Sequence, residues 1–312
     1  MTNKPFKSLI GQELIKNRLS FAIQAHEAGC PIPHFLFTGA MGNGKSQFAR
    51  EFAKNLFDKG ERRKYFEINA STVKSLTQFV EKICMPHIID RNSTILIDEM
   101  HCLPKDVSMF LLTVLNTEKS PIRRVSYGDS ELEFDFTRQS IHFATTEPHT
   151  IFKPLKNRME VLALGNYKPE ELEKIIQLNV PDISFEDNVL ADVVSSIKGN
   201  PRSAVLTSRK IADFCSIKGR KSFDSGDFAN LCKMADIKAH GLDNIEIGVL
   251  KLLAERGEMS LTEISACLSI SGSALRQDHE HHLLRKGFIR INGKREITAK
   301  GREACKLFKN FA

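Results

Sequence analysis

This sequence predicts an α/β fold: a parallel sheet covered by helices on both faces, followed by a small all-helical domain and a C-terminal winged helix. Three observations carry the prediction. As far as about residue 165, short apolar runs alternate with helix-length stretches, the pattern of buried parallel strands joined by covering helices. From Lys168 to Lys238 the periodicity is helical throughout. From His240 onward, helical stretches give way to two strand-like runs around Asn292-Gly293.

Each element follows from its local pattern. The expected strands of the first part are Phe35–Phe37, Tyr65–Ile68, Ile95–Ile97, Ile141–Ala144 and Val161–Leu164, all too short for helices. A helix is expected from Lys45 to Leu56. Within Ser120–Phe136, the alternating stretches Arg124–Tyr127 and Glu131–Phe134 flank Gly128-Asp129, so an inserted β-hairpin is expected there. Two roles are open for it: contact with DNA or a partner through Arg123, Arg124 and Tyr127, or plain packing. The second part reads as helices Pro169–Gln177, Glu186–Ile197, Pro201–Ser216 and Asp224–Met234, with Pro201 at a helix start where its missing donor costs nothing. In the third part, helices are expected at Ile245–Glu255, Leu261–Cys267 and Ser271–Lys286. A hairpin of Phe288–Ile291 with Arg295–Thr298 follows them. The expected domains are therefore residues 1–165, 166–239 and 240–312.

The chemistry lies in two motifs. Gly39-Ala40-Met41-Gly42-Asn43-Gly44-Lys45-Ser46 is a phosphate-binding loop between an expected strand and an expected helix. Its backbone N–H groups, from Gly39 through Gly42, Asn43 and Gly44 to Gln47, would cradle the phosphates of a nucleoside triphosphate at a helix N-terminus. Lys45 would reach the β- and γ-phosphates, and Ser46 would be a magnesium ligand. About fifty residues later Ile95-Leu96-Ile97-Asp98-Glu99 forms an apolar strand ending in two carboxylates. Asp98 would hold the magnesium and Glu99 would polarise the attacking water as general base. ATP and Mg²⁺ are the expected ligands.

Charge adds a second function. The formal net charge is +7, and nine Lys or Arg against two Glu lie between Arg285 and Lys309, an excess equal to that of the whole chain. A basic patch on one terminal module is the electrostatic footprint of nucleic-acid binding, here centred on Arg285, Arg290, Lys294 and Arg295. His279 and His282 are spaced to ligate zinc from one helix, yet no cysteine or carboxylate pair has matching spacing, so Asp278–His282 reads as a solvated face. Seven scattered cysteines without a C-x-x-C argue against a disulfide frame or zinc site. No signal-peptide pattern or membrane-length apolar stretch is present, which places the expected location in the cytoplasm.

These motifs, in this order, resemble the RuvB family of AAA+ motors that drive Holliday-junction branch migration, over nearly the whole chain. Phe6-Lys7-Ser8-Leu9-Ile10-Gly11-Gln12 is similar to the family segment bordering the adenine pocket, which implies a contact from Ile10. Asp98-Glu99-Met100-His101 is similar to its D-E-x-H box, and Phe143–Thr146 to the strand end carrying the sensor 1 threonine, which implies that Thr146 orients the water or γ-phosphate. Pro154–Arg158 resembles the arginine-finger segment, with Arg158 acting on a neighbouring subunit's nucleotide. Tyr167–Leu172 resembles the start of the lid, where Tyr167 packs near the adenine. Gly199-Asn200-Pro201-Arg202 resembles the sensor 2 motif, which places Pro201 beside the nucleotide and Arg202 on its γ-phosphate. Gly241-Leu242-Asp243 is similar to the start of the family's winged helix. The departures are Ser46 for the usual threonine, Ala40-Met41 for prolines, and Met159 where Phe-Gly continues the finger segment. The hairpin is polar where the family carries apolar residues that grip the junction-binding partner RuvA. They suit a divergent, phage- or element-encoded member, and leave open whether a RuvA-like junction-binding protein is its partner.

The expected function is therefore a DNA-dependent ATPase working as a ring, of hexameric type, on duplex or branched DNA. Two alternatives stay open: a clamp-loader or helicase-loader switch, and an ATP-gated DNA-binding regulator.

Overall fold

The computed structural model describes residues 5–58, 60–116, 120–186 and 188–308. Lys309, the last cation of the basic cluster, lies outside them. By packing, the chain forms two compact units, Met1–Tyr167 and Lys168–Ala312.

The first unit is built on a five-stranded sheet in the order Lys64–Asn69, Ser93–Asp98, Gln139–Thr145, Phe35–Thr38, Glu160–Ala163. All neighbouring pairs are parallel. The two-residue period of a strand sorts the apolar side chains to opposite faces. Phe35 and Phe37 join Phe48 and Phe52 of the P-loop helix and Ile15 and Leu19 of the Glu13–Glu27 helix. Leu36 joins Ile95, Ile97, Ile141 and Phe143 against Val107, Phe110, Leu111 and Val114 of the Lys105–Val114 helix. Each buried phenylalanine is worth roughly 1.5–3 kcal/mol of transfer free energy, so this sandwich makes a stiff platform for whatever sits on the strand ends.

Two histidines are sealed into the sheet. His142 stacks on Phe35 and meets Phe52 edge-on, and its Nδ1 accepts the Phe35 amide. Burial lowers the pKa of His34 to about 4 and that of His142 to about 3, so both are neutral members of the core.

The inserted hairpin pairs Ile122–Tyr127 with Ser130–Asp135 antiparallel, Tyr127 opposite Ser130 across Gly128-Asp129. Leu132 and Phe134 face the core, Val125 and Tyr127 pack against it, and Arg124 pairs with Glu133 across the strands.

The second unit begins with the helices Pro169–Asn179, Val189–Ser195, Pro201–Lys218 and Ser225–Met234. Short parallel strands Ser184–Phe185 and Ser222–Phe223 tie two of their connections together, a pairing too brief to leave a periodic signal. The winged helix follows, with helices Asn244–Arg256 and Leu261–Cys267 and a third helical stretch from Gly272 to Lys286, whose middle, Leu275–Glu280, is π-helical. The wing pairs Ile289–Asn292 with Lys294–Ile297, and Met259 adds a bridge to Arg295. A further helix, Ala299–Lys306, capped by Thr298, adds to the elements expected from the sequence. Its polar surface hides the short apolar stripe that packs toward the Asn244–Arg256 helix. Among the described residues no helix is long and apolar enough to cross a membrane.

Candidate nucleotide site and DNA-facing surface

Parallel register brings the chemistry to one edge. Thr38 lies opposite Thr145, and Ile97 opposite Phe143, so the loop after Thr38, the Asp98-Glu99 pair and Thr146 all leave the carboxyl ends of adjacent strands. Crevices at such strand ends are where open α/β sheets bind ligands.

Gly39 opens the loop at φ 147°, and a Cβ there would lie 2.8 Å from the Leu164 carbonyl oxygen, so only glycine fits. Lys45 is buried and curls back to donate to the carbonyls of Gly39 (3.0 Å) and Ala40 (3.3 Å). Asn43 is buried and donates to the Gly165 carbonyl at 3.1 Å, while the Tyr167 hydroxyl donates to the Asn43 carbonyl at 3.2 Å. Gln47 lies on the exposed side of the helix, bonded to Arg50 and Glu51. Gln12 exchanges two hydrogen bonds with the backbone of Gly165, which ties the half-buried Ile10 segment to the chain entering Tyr167.

The Ser46 hydroxyl donates to Asp98 Oδ2 at 2.7 Å. This half-buried oxygen pair fits a hard divalent cation such as Mg²⁺. Glu99 takes a left-handed backbone, φ 53°, which non-glycine residues adopt only under local constraint. Thr146 donates to Glu99 Oε2 at 3.3 Å. His101 bonds Thr145 Oγ1 at 3.0 Å and stands 3.4 Å from the same Glu99 oxygen. His101 and Thr145 therefore buttress the carboxylate. Sequence reasoning gives neither a role, although the D-E-x-H spacing is the signal for His101.

The two arginines have separate settings. Arg158 precedes the Glu160–Ala163 strand, whose start pairs with Phe35 and whose end pairs with Thr38. At ~3.3 Å per strand residue, Arg158 lies on the order of 15 Å from the carboxyl edge, toward the opposite end of the sheet. Its guanidinium donates to the Pro154 carbonyl at 3.0 Å. Arg202, in the second unit, is exposed in the first turn of the Pro201–Lys218 helix, whose N-terminus Asn200 caps by accepting the Ser203 amide at 2.8 Å.

On the winged helix the basic cluster divides. Arg290 and Lys294 are exposed, Arg290 at 70% with Glu296 beside it. Arg295 is 9% exposed and bound by both carboxylate oxygens of buried Glu280. Arg285 turns inward and donates to the Lys198 carbonyl. Arg295 is a correction to the expected DNA face, because its guanidinium is buried and paired, whereas Arg285 is half-buried and spends one donor on the chain. Arg276, exposed on the Gly272–Lys286 stretch, is a cation that a cluster beginning at Arg285 leaves out. The solvated reading of Asp278–His282 is corrected too. His279 is half-buried and His282 buried, facing Asp243 and Glu246 of another helix.

Comparison with known proteins agrees with this layout. The family model described as the Holliday junction DNA helicase RuvB P-loop domain matches residues 1–164, and the RuvB C-terminal winged helix domain matches residues 239–306. The Holliday junction branch migration complex subunit RuvB of Thermotoga petrophila is 25% identical over 295 residues, covering 92% of this chain and 86% of that protein. That of Kosmotoga olearia is 27% identical over 305 residues, covering 93% and 85%. The solved Thermotoga maritima RuvB Holliday junction branch migration motor superposes with a TM-score of 0.80 at 23% identity, over 97% of each chain, a likeness of fold.

Proposed function

The chain belongs to the RuvB family of Holliday-junction branch-migration ATPases, and on that premise we propose that it is an ATP-driven motor working as a ring, of hexameric type, on branched or duplex DNA. The observation that carries the proposal is the convergence of Lys45, Ser46, Asp98, Glu99 and Thr146 on one sheet edge, in a chain that ends in a winged helix with an exposed basic wing. The working parts are the large domain (1–165), the lid (166–239) and the winged helix (240–312).

The residues divide the work. Arriving phosphates replace the loop carbonyls as partners of Lys45, and backbone N–H groups from Gly39 to Gln47 supply the remaining donors. Ser46 and Asp98 would hold Mg²⁺, which would supply charge neutralisation for the phosphates. Glu99, held by Thr146 and buttressed by His101, takes the proton of the attacking water. Ile10 and Tyr167, tied to the loop's own unit, would line the base side, and the resemblance to the sensor 2 motif is what assigns Pro201 and Arg202 to the nucleotide. Arg158 lies at the far end of its own sheet, which suits action on a neighbouring copy's nucleotide. Hydrolysis then depends on assembly.

Arg290, Lys294 and Arg276 track phosphates, so affinity for DNA falls with salt and shows little sequence preference. The hairpin's outward face alternates Arg124 with Glu131 and Glu133. That polar surface suits a targeting partner other than one gripped through apolar side chains. The test is ATP-driven dissociation of a synthetic four-way junction, against plain duplex and Lys45→Ala protein, with and without a RuvA protein. Junction-specific strand movement supports the motor, and dependence on RuvA identifies the partner. ATP hydrolysis without strand movement under every condition replaces the motor with a loader.

A further inference from the structure

The described residues of the second unit hold a cluster that the nucleotide chemistry does not use. Lys198 Nζ donates to Asp243 Oδ2 at 2.9 Å and to Glu246 Oε1 at 3.2 Å. His279 Nδ1 meets the same Asp243 oxygen at 3.1 Å, and His282 Nδ1 the same Glu246 oxygen at 2.9 Å. The second oxygen of each carboxylate is already committed. Asp243 Oδ1 accepts the Glu246 amide at 2.9 Å, and Glu246 Oε2 accepts the Asp243 amide at 2.8 Å, the reciprocal cap of the Asn244–Arg256 helix. The two carboxylates are thus fixed before Lys198 arrives, Glu246 with no exposed surface at all.

Asp243, Glu246 and His279 present ligand atoms within 4.8 Å of one another, a spacing that would suit a metal ion. The cation in that seat is the Lys198 ammonium. Burial works against its charge, but the hydrogen bonds and the carboxylates outweigh burial and raise its pKa. Two further contacts fasten the same stretch of chain. Arg285 donates to the Lys198 carbonyl. Gly241 sits so close that a Cβ would lie 2.6 Å from the Ile197 carbonyl carbon. Lys198-Gly199-Asn200 then leads directly into the helix that begins with Pro201 and Arg202.

We infer that Lys198, with its seat of Asp243 and Glu246, is a positioning residue for ATP turnover: it locks the strap that carries Arg202 to the winged helix, so that DNA held by the winged helix sets where Arg202 stands. The inference rests on the reading of Arg202 as a residue that acts on the nucleotide. A chain held at its side chain by Lys198, at its carbonyl by Arg285 and at its next turn by the Asn200 cap has little freedom to move without the module that grips it. Coupling through a stiff, doubly anchored segment of this kind transmits a domain displacement to a single side chain.

The test uses the full-length protein, with steady-state ATPase measured with and without linear duplex DNA, DNA affinity, and thermal melting. Lys198→Met and Glu246→Gln should each lower the DNA-stimulated kcat roughly tenfold, a normal size for coupling between sites. KM for ATP and DNA affinity should stay within about twofold, as expected when only coupling is lost. Lys198→Arg should restore most of the stimulation, and the double variant should be no worse than either single one. Full DNA stimulation in a stably folded Lys198→Met protein overturns the inference. So does a fall in which KM, DNA affinity and melting temperature change together, because that is the signature of structural damage. Arg202→Ala separates the two layers. If it alone loses turnover while Lys198→Met does not, only the strap inference fails. If Arg202→Ala keeps wild-type turnover, the reading beneath it fails as well.

Discussion

At the carboxyl edge of the five-stranded sheet, polar side chains converge, whereas on the winged helix the cations disperse and several are consumed by internal partners. Ser46, in the first turn of the P-loop helix, and Asp98, Glu99 and Thr146, at or just past the ends of strands whose other residues are buried, form a chain of contacts. That is the arrangement that phosphoryl transfer requires, because dipoles fixed in advance cost no reorganisation as charge develops. The winged helix has a different task. Backbone tracking on DNA would need exposed cations; Lys294 and Arg276 are exposed, as is Arg290 with its Glu296 partner, while Arg295 serves the module's own integrity and Arg285 ties it to Lys198. Equal charges in the two regions therefore have unequal meanings.

The comparison can be broken most sharply at the sheet edge. Lys45→Ala should lower ATP affinity and turnover by at least ~10³-fold, in line with losing a cation on the transferring phosphoryl group. Calorimetric titration with ATP checks this, and retained tight binding would move the site elsewhere. Next in size, Glu99→Gln should bind ATP normally while kcat falls ~10²–10⁴-fold. Arg158→Ala should lose about 10³-fold in the same assay. Equimolar mixing of these two proteins should restore part of the activity, since each copy then supplies what the other lacks. Mixtures as inactive as their components would rule out action across a subunit boundary.

The wing offers the contrast. Arg295→Met leaves Glu280 buried without its partner and should cost about 3 kcal/mol of stability, read by denaturant unfolding. Charge reversal at Arg290 and Lys294 should leave stability within about 0.5 kcal/mol. It should weaken DNA binding and reduce its salt slope by about one for each phosphate no longer neutralised. If Arg295→Met weakened DNA binding without loss of stability, the division between internal and DNA-facing arginines would collapse.

The last effect comes from acid. His34 and His142 titrate at about 4 and about 3 in the folded sheet, below the unfolded value of 6.5. The unfolded chain therefore binds more protons below pH 6.5, and the stability due to neutral burial, fully present above that pH, is lost progressively as pH falls through the folded values. By pH 5.5 the loss should be on the order of 3 kcal/mol, and urea unfolding at stepped pH measures it. A flat stability between pH 7.5 and 5.5 would mean that these histidines are not sealed in the sheet.

Much of this molecule is legible before folding is considered. The glycine spacing of Gly39 to Gly44, the apolar run ending at Asp98 and the strand ending before Thr146 each announce their geometry, because a phosphate loop and a buried strand are local structures set by backbone sterics and period. The hairpin around Gly128-Asp129 is readable for the same reason. The helix Ala299–Lys306 is hidden by its composition, with only a narrow apolar stripe among lysines and glutamate. His101 carries a motif but no visible partner, since Thr145 lies on another strand.

By itself the sequence determined the nucleotide chemistry, the α/β order and the presence of a winged helix, all written in contiguous residues. Only tertiary structure decided which arginines face outward. It alone turned His279 and His282 from a solvated run into partners of Asp243 and Glu246, and brought Arg285 onto the carbonyl of Lys198. The reason is physical. A buried polar group is stable only where its hydrogen-bond partner is supplied with it. Here the partners come from residues 36 and 87 positions apart, a separation that no local pattern encodes.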